Sequence, residues 1–293
     1  MNLRDHLAVQ QKLVDAELDR LTPPESTPPE TIHRAMRYSL FAGGKRIRPV
    51  LCLEAVQTVA GEVEGAVTAA CPLELIHTYS LIHDDLPALD NDDLRRGKPT
   101  CHKKFGEATA ILAGDALLTL AFETIAASPA PADRRVAIIT EISTAAGTIH
   151  GMVGGQVADL EAEGRRVGPE TLEYIHRSKT AALIRASLAS GALSAGAPPD
   201  DVARLRRFGE TIGWAFQVTD DILDVEESSA ALGKTAGKDI AQQKATYPAV
   251  FGLPRSHEIA NELANKAIAE LQPYGERAEC LRAIAEFLVL RRT

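Results

Sequence analysis

Apolar residues recur along this chain at helical spacing. In the opening segment Leu3, Leu7, Val14, Leu18 and Leu21 fall on one stripe of a helix. TPPESTPPE (22–30) ends that helix, because proline cannot continue one. Pro29 and Glu30 then restart the chain at a first helical turn, where a missing N–H is harmless. Further breaks fall at Gly43-Gly44, Gly61 to Gly65, Arg96 to Pro99, Ser128 to Ala132, Glu163 to Pro169, Gly196 to Asp200, Ser228 to Gly237 and Pro254. Between them lie helical stretches of ordinary to long length. Alternating β-branched runs are scarce and aromatics make up only 4%, so a sheet has little to build from. No repeat of fixed period, low-complexity tract or linker interrupts the pattern. It predicts one all-α domain over 1–293, a bundle of roughly ten helices. EESSAALGKTAGKDIAQQKATYP (226–248) is set apart by its glycines, serines and lysines, and reads as a mobile loop of the length used for lids.

Composition narrows the function classes. Hydrophobic residues at 45% and charged residues at 25% of 293 suit a globular protein with a core. A formal net charge of −8 argues against a nucleic-acid partner, which calls for a basic patch. An acidic chain that bound phosphates would need metal ions to bridge like charges. Cysteines stand at 52, 71, 101 and 280 with no CxxC spacing, so the spacing indicates neither a zinc site nor a redox pair. The N-terminus lacks the apolar core of a signal peptide. No stretch reads as long and apolar enough to span a bilayer. The expected location is the cytoplasm.

LELIHTYSLIHDDLPALDNDDLRRG (73–97) carries the strongest signal. An apolar helix runs into Asp84, Asp85, Asp90, Asp92 and Asp93. Such charge at a helix C-terminus repels itself and opposes the helix dipole. Hard oxygen ligands for Mg²⁺ are the natural compensation. Asp84 and Asp90 are six residues apart, about 600° on an unbroken helix, and therefore on different faces. Pro87 distorts the helix there, and a local bulge would return Asp90 towards Asp84. His77 precedes Asp84 by seven residues and shares its face. His83 next to Asp84-Asp85 keeps a metal-dependent phosphohydrolase in play, although no HxxxH or HExxH supplies further ligands.

A second acid cluster closes another apolar helix in GETIGWAFQVTDDILDVEES (209–228). Asp220 and Asp224 share a face, and Gln217 borders it beside Asp221. Two acid-bearing helix ends predict a metal cluster held between facing helices. Gln156 and Asp159 in GMVGGQVADL (151–160) also share a face, but that segment by itself reads as a packed helix. FAGGKRIRP (41–49) sets Lys45, Arg46 and Arg48 after two glycines that free the backbone to approach an anion. Arg95 and Arg96 follow the first cluster, HRSKTAALIRAS (176–187) brings Lys179 and Thr180, and the loop carries Lys234, Lys238 and Lys244. Gly233-Lys234-Thr235 resembles a P-loop tail. Position 228 is Ser where a Gly is required, and no strand precedes it, which excludes a nucleoside-triphosphate site.

GGKRIRP, HDDLPALDNDDLRRG, GGQVADL, HRSKT, FQVTDDILD and LGKTAGKD…KATYP occur in that order over nearly the whole chain. Together they closely resemble the trans-prenyl diphosphate synthases, specifically the bacterial farnesyl type. The resemblance implies an isoprenoid-synthase helical bundle with a central active-site cavity, usually a homodimer, and Mg²⁺, three ions per active site, between the two aspartate motifs. It implies isopentenyl diphosphate bound by Lys45, Arg48, His77 and Arg96. Metal would be held by Asp84, Asp85, Asp90, Asp220, Asp221 and Asp224. The allylic diphosphate would be lined by Arg95, Lys179, Thr180, Gln217, Lys234 and Lys244. Arg95, Lys179, Thr180 and Gln217 would be catalytic. The reaction implied is ionisation of an allylic diphosphate, attack by isopentenyl diphosphate and loss of a proton, with no activated nucleophile.

Tyr79, five residues before Asp84, and Ser80, one turn below it, would set product length. A bulky Tyr79 as floor predicts a fifteen-carbon product. The alternatives are a geranylgeranyl or geranyl synthase with a different floor, a non-catalytic subunit and the phosphohydrolase. Arg291-Arg292 would either cover the isopentenyl site or form a solvated tail.

Overall fold

The computed structural model describes residues 2–61, 66–230 and 246–289. Among these, fourteen α-helices make up the fold. The first seven are α1 (Leu3–Leu21), α2 (Glu30–Leu40), α3 (Ile47–Ala60), α4 (Ala66–Asp84), α5 (Cys101–Phe105), α6 (Glu107–Ala127) and α7 (Ala132–Ala146). The rest are α8 (Met152–Ala162), α9 (Pro169–His176), α10 (Ala182–Ser194), α11 (Pro199–Ala230), α12 (Tyr247–Phe251), α13 (Leu253–Glu270) and α14 (Glu279–Val289). A π-helical turn, Arg177–Ala181, joins α9 to α10, and a 3₁₀ segment, Gln272–Ala278, precedes α14. Half of the surplus over roughly ten comes from two five-residue helices, α5 and α12, too short for an apolar pattern to reveal. The one sheet among the described residues is a two-residue hairpin, Leu94–Arg95 against Lys98–Pro99.

Two apolar clusters fill the bundle. One gathers Leu18, Leu40, Leu73, Ile76, Leu117 and Ile142 between α1, α2, α4, α6 and α7. The other gathers Leu51, Leu188, Phe208, Ile212, Leu263 and Leu281 between α3, α10, α11, α13 and α14. Each such buried side chain contributes about 1.5–3 kcal/mol. Helix α10 lies between the two and is buried on nearly every side, as Ala186, Ala189 and Ala192 permit. A Cβ at Gly191 would stand 2.2 Å from the Cys52 carbonyl oxygen, so only glycine lets α10 and α3 touch backbone to backbone.

Two expectations need correcting. Residues 226–230, expected in the loop, are helical, because α11 runs through Ala230; Lys234, Lys238 and Lys244 lie outside the described residues, as do Arg291-Arg292. Helix α6 is also long and apolar enough, by length and composition, to cross a membrane. Here one of its faces packs on α4, with Leu117, Ala121 and Ile125 buried, while Ile111 and Leu112 face outward.

Candidate active site

Helix α4 ends at Asp84, and the chain turns back on itself. The Asp90 N–H donates to the Asp84 carbonyl at 2.9 Å, that of Asn91 to Leu86 at 3.1 Å, and that of Asp92 to Asp85 at 3.1 Å. Asn91 takes a left-handed conformation (φ 50°) that closes the turn. Asp90 thus returns beside Asp84, but by terminating the helix and not by the bulge expected within it. Pro87, which has no N–H to donate, stands in this turn without cost.

The acids of the first cluster separate by partner. Asp85 is buried, and both of its oxygens are held by Arg95: Nε lies 2.9 and 3.0 Å from them, and a terminal nitrogen lies 2.5 Å from one. This bidentate fork fixes Arg95 at the rim of the cluster. Asp84 and Asp90 are half-buried, and Asp84 accepts from Gln156 Nε2 at 2.8 Å. His83 turns away from the acids, with Nε2 3.0 Å from the Ile111 carbonyl and its ring packed on Gly114. The histidine that kept a phosphohydrolase in play is therefore directed at α6.

A series of polar contacts leads from this helix end to the second acid cluster, which does not close its helix as expected but lies on α11, helical on through Ala230. On α8, Asp159 accepts from Lys179 Nζ at 2.7 Å. A Cβ at Gly155 would sit 2.3 Å from the Lys179 backbone nitrogen, so glycine lets the π-helical turn approach α8. The extra residue of a π turn re-aims its side chains, and Thr180 Oγ donates to Gln217 Oε1 at 2.8 Å. Gln217 Nε2 lies 3.4 Å from Asp221 Oδ1 on α11. GGQVADL, which reads as packing in isolation, thus supplies two members of the series. Its signal was the Gln156–Asp159 spacing.

Asp221 is the buried counterpart of Asp85. Its Oδ2 accepts from the Tyr247 N–H at 2.9 Å and lies 3.4 Å from His176 Nε2. Burial, reinforced by the Lys179 charge, pushes the His176 pKa down to about 3, so this imidazole is neutral around pH 7. Tyr247 Oη accepts from Trp214 Nε1 at 2.7 Å. Asp220 and Asp224, four residues apart, are half-buried on one face of α11. His176, Tyr247 and Trp214 escaped sequence reasoning because each acts on the acid cluster from another helix or another turn.

Next to Arg95 and the first acid cluster, Arg96 enters a cavity of about 350 Å³ that Lys45, Arg48 and His77 also line, together with Ile184, Phe216 and Leu288. Residues of three separate motifs meet here. Arg48 is half-buried, and its enclosed Nε has no hydrogen-bond partner. Burial depresses its pKa, a sign that the cation lacks full compensation. Burial together with the Arg48 and Arg96 charges holds His77 well below the usual imidazole range.

Arg46 does not join that wall as a free cation. It is buried, taking a left-handed conformation (φ 52°), and donates to Asp15 at 2.7 Å, Glu74 at 2.8 Å and the Leu40 carbonyl at 2.7 Å. Breaking a buried pair of this kind costs about 3–5 kcal/mol, so Arg46 is structural. The two glycines have an unforeseen use as well. Arg96 donates to the Gly43 carbonyl, and a Cβ at Gly44 would stand 2.7 Å from its guanidinium. Gly43 (φ 106°) and Gly44 (φ 127°) therefore seat a second cation of the pocket. Tyr79 is buried below Asp84 with its ring edge-on to His83, centroids 5.7 Å apart, and Ser80 Oγ donates back to the His77 carbonyl at 2.8 Å.

Comparison with known proteins bears on the family and the fold. Residues 29–285 match the polyprenyl synthetase family model. A heterodimeric geranylgeranyl pyrophosphate synthase large subunit from Arabidopsis thaliana is 50% identical, covering 98% of this chain and 78% of the relative. A dimethylallyltranstransferase from Fischerella ambigua is 48% identical over 99% of this chain and 84% of its own length. Among solved structures, an FPP/GFPP synthase from Zymomonas mobilis superposes with a TM-score of 0.88 at 36% identity, covering 98% of this chain and 99% of that one. A geranylgeranyl pyrophosphate synthetase from Pyrococcus horikoshii superposes at 0.89 with 31% identity, covering 99% and 98%. The helical bundle is that of the isoprenyl synthases, and the chain belongs to the polyprenyl synthetase family.

Proposed function

We propose that the protein is a prenyl transferase that condenses isopentenyl diphosphate with an allylic diphosphate. The observation that carries this reading is the meeting of the acid-bearing end of α4 and the acid-bearing face of α11 with a cationic pocket beside them. Carboxylate oxygens dominate the donors in those two clusters, a set that fits Mg²⁺. Asp84, Asp90, Asp220 and Asp224 would hold it, with Asp85 fixing Arg95 and Asp221 tying α11 to Tyr247 and His176 behind them. When bound, the ion supplies Lewis-acid stabilisation of the leaving diphosphate.

The chain's own residues do the rest. Arg95 and Lys179 present fixed positive charge to the allylic diphosphate. Thr180 and Gln217, joined by a hydrogen bond, aim neutral oxygen dipoles at the carbocation left after ionisation. Lys45, Arg48, His77 and Arg96 hold isopentenyl diphosphate so that its double bond faces that cation, which supplies proximity and orientation. Departing diphosphate accepts the proton that is lost. No side chain needs to be an activated nucleophile.

The curated relatives named geranylgeranyl synthases favour a twenty-carbon product over the fifteen-carbon one expected from the farnesyl-type motif. One observation favours fifteen carbons: Tyr79 is bulky, buried and below Asp84. Incubation with Mg²⁺, isopentenyl diphosphate and dimethylallyl, geranyl or farnesyl diphosphate in turn, with products read by mass spectrometry, tests both. A twenty-carbon end point from every primer supports the relatives' reading, and growth stopping at fifteen supports the Tyr79 floor. No condensation with any primer would sink the proposal. If Tyr79 limits growth, Tyr79→Ala lengthens the product by at least one five-carbon unit, and an unchanged product length removes it from that role.

The partner we propose is a second copy of this chain, seated on the outer face of α6, where Ile111 and Leu112 are 44% and 58% exposed. Light scattering should give twice the chain mass. A monomer at micromolar concentration would refute it.

A further inference from the structure

Away from the acid clusters, three helices remote in sequence bring an imidazole, a carboxylate and a thiol together. His6 on α1, Glu54 on α3 and Cys280 on α14 place their ligand atoms within 4.8 Å of one another. His6 Nε2 is 2.6 Å from Glu54 Oε1. The Glu54 side chain is 3% exposed and that of His6 27%, so the carboxylate is enclosed while the imidazole borders solvent. Enclosing a carboxylate is costly unless a cation or donors compensate it.

We propose that His6, Glu54 and Cys280 form a site for a borderline-soft divalent cation, best matched by Zn²⁺. Nitrogen, sulfur and carboxylate oxygen are the donors zinc takes, whereas Mg²⁺ and Ca²⁺ take oxygens. Three protein ligands leave a fourth position, and the solvent side of His6 supplies both that position and an entry path. Zinc–ligand bonds of about 2.0–2.3 Å in a tetrahedron set donors roughly 3.3–3.7 Å apart. The His6–Glu54 contact must therefore open by about 1 Å, which a half-exposed ring near the start of α1 can accommodate. Burial and the Glu54 charge push the Cys280 thiol up, so without a cation it stays protonated. Binding breaks the S–H bond, forms a metal–sulfur bond and releases that proton to solvent.

The site has a consequence for the pocket. Helix α3 carries Arg48 and helix α14 carries Leu288, which both line the cationic cavity. A metal tying α3 to α14 and to α1 would brace that wall. The sequence hides the site because its three members are separated by 47 and 225 intervening residues.

The test is a Co²⁺ titration of the full chain with excess Mg²⁺ present to occupy the acid clusters. The expected result is a near-ultraviolet thiolate-to-cobalt charge-transfer band that saturates at a single equivalent and is abolished by Zn²⁺. Cys280→Ser should lose the band, and His6→Ala should weaken binding at least about tenfold. Zn²⁺ should also protect Cys280 from alkylation, a readout on the native chain that does not depend on any variant folding. Absence of the band, its survival in Cys280→Ser, unchanged affinity in His6→Ala, or unaltered alkylation of Cys280 would each overturn the site.

Discussion

Asp84→Ala should lower turnover by at least about a hundred- to a thousandfold, the scale set by removing one preorganised group at a site of developing charge. The expectation for stability is opposite in character. A carboxylate at a helix C-terminus opposes the helix dipole by about 0.3–1 kcal/mol. Its hydrogen bond from Gln156 contributes about 1 kcal/mol in the other direction. The two nearly cancel, so the melting temperature should move by no more than about 4 °C. Steady-state turnover and a thermal melt on the same preparation decide it. A variant that unfolds, or one that keeps most of its activity, would take Asp84 out of the metal site. Asp85→Ala makes the contrast, because it strands the Arg95 guanidinium that it now holds. It should cost stability as well as rate.

Arg48→Met should raise the KM for isopentenyl diphosphate by about ten- to a hundredfold and leave that for the allylic substrate unchanged. A hydrogen bond to a charged group contributes about 1.5–3 kcal/mol, and each 1.4 kcal/mol is tenfold. The enclosed, unpartnered Nε makes Arg48 a cost to the substrate-free fold, offset when a diphosphate arrives. Methionine fills similar space without that penalty, so the variant should be as stable as the parent or more so. Weaker binding with equal or greater stability is the signature to look for. Loss of stability together with unchanged KM would mean that Arg48 serves the fold and not the substrate. Arg46→Met, two residues away, should instead destabilise the protein, because it leaves Glu74 buried without its cation.

The two acid clusters illustrate what local sequence could and could not determine. Apolar stripes, prolines and glycines act within a few residues, and they sufficed for an all-helical chain and for acids at the end of α4 and on one face of α11. The resemblance added which groups should meet. Which acid of each pair faces inward was not legible, since Asp84 and Asp85 are chemically identical neighbours. Only the arrival of Arg95 from a hairpin and of Tyr247 and His176 from other helices separates Asp85 and Asp221 from the rest. The same holds for FAGGKRIRP. Its three cations look alike in sequence, yet Arg46 is captured by Asp15 and Glu74 from two other helices, while Arg48 and Lys45 reach the cavity.

Sequence alone therefore determined the helical class, the two acid clusters and the family, because each rests on contacts within one helix or on motif order. Tertiary structure decided the division of labour among identical side chains, the use of Gly43 and Gly44 to seat Arg96, and the entry of Gln156 and Asp159 into the site. These depend on the burial of a charge against a partner tens to hundreds of residues away, and burial is a property of the packed chain and not of any segment of it.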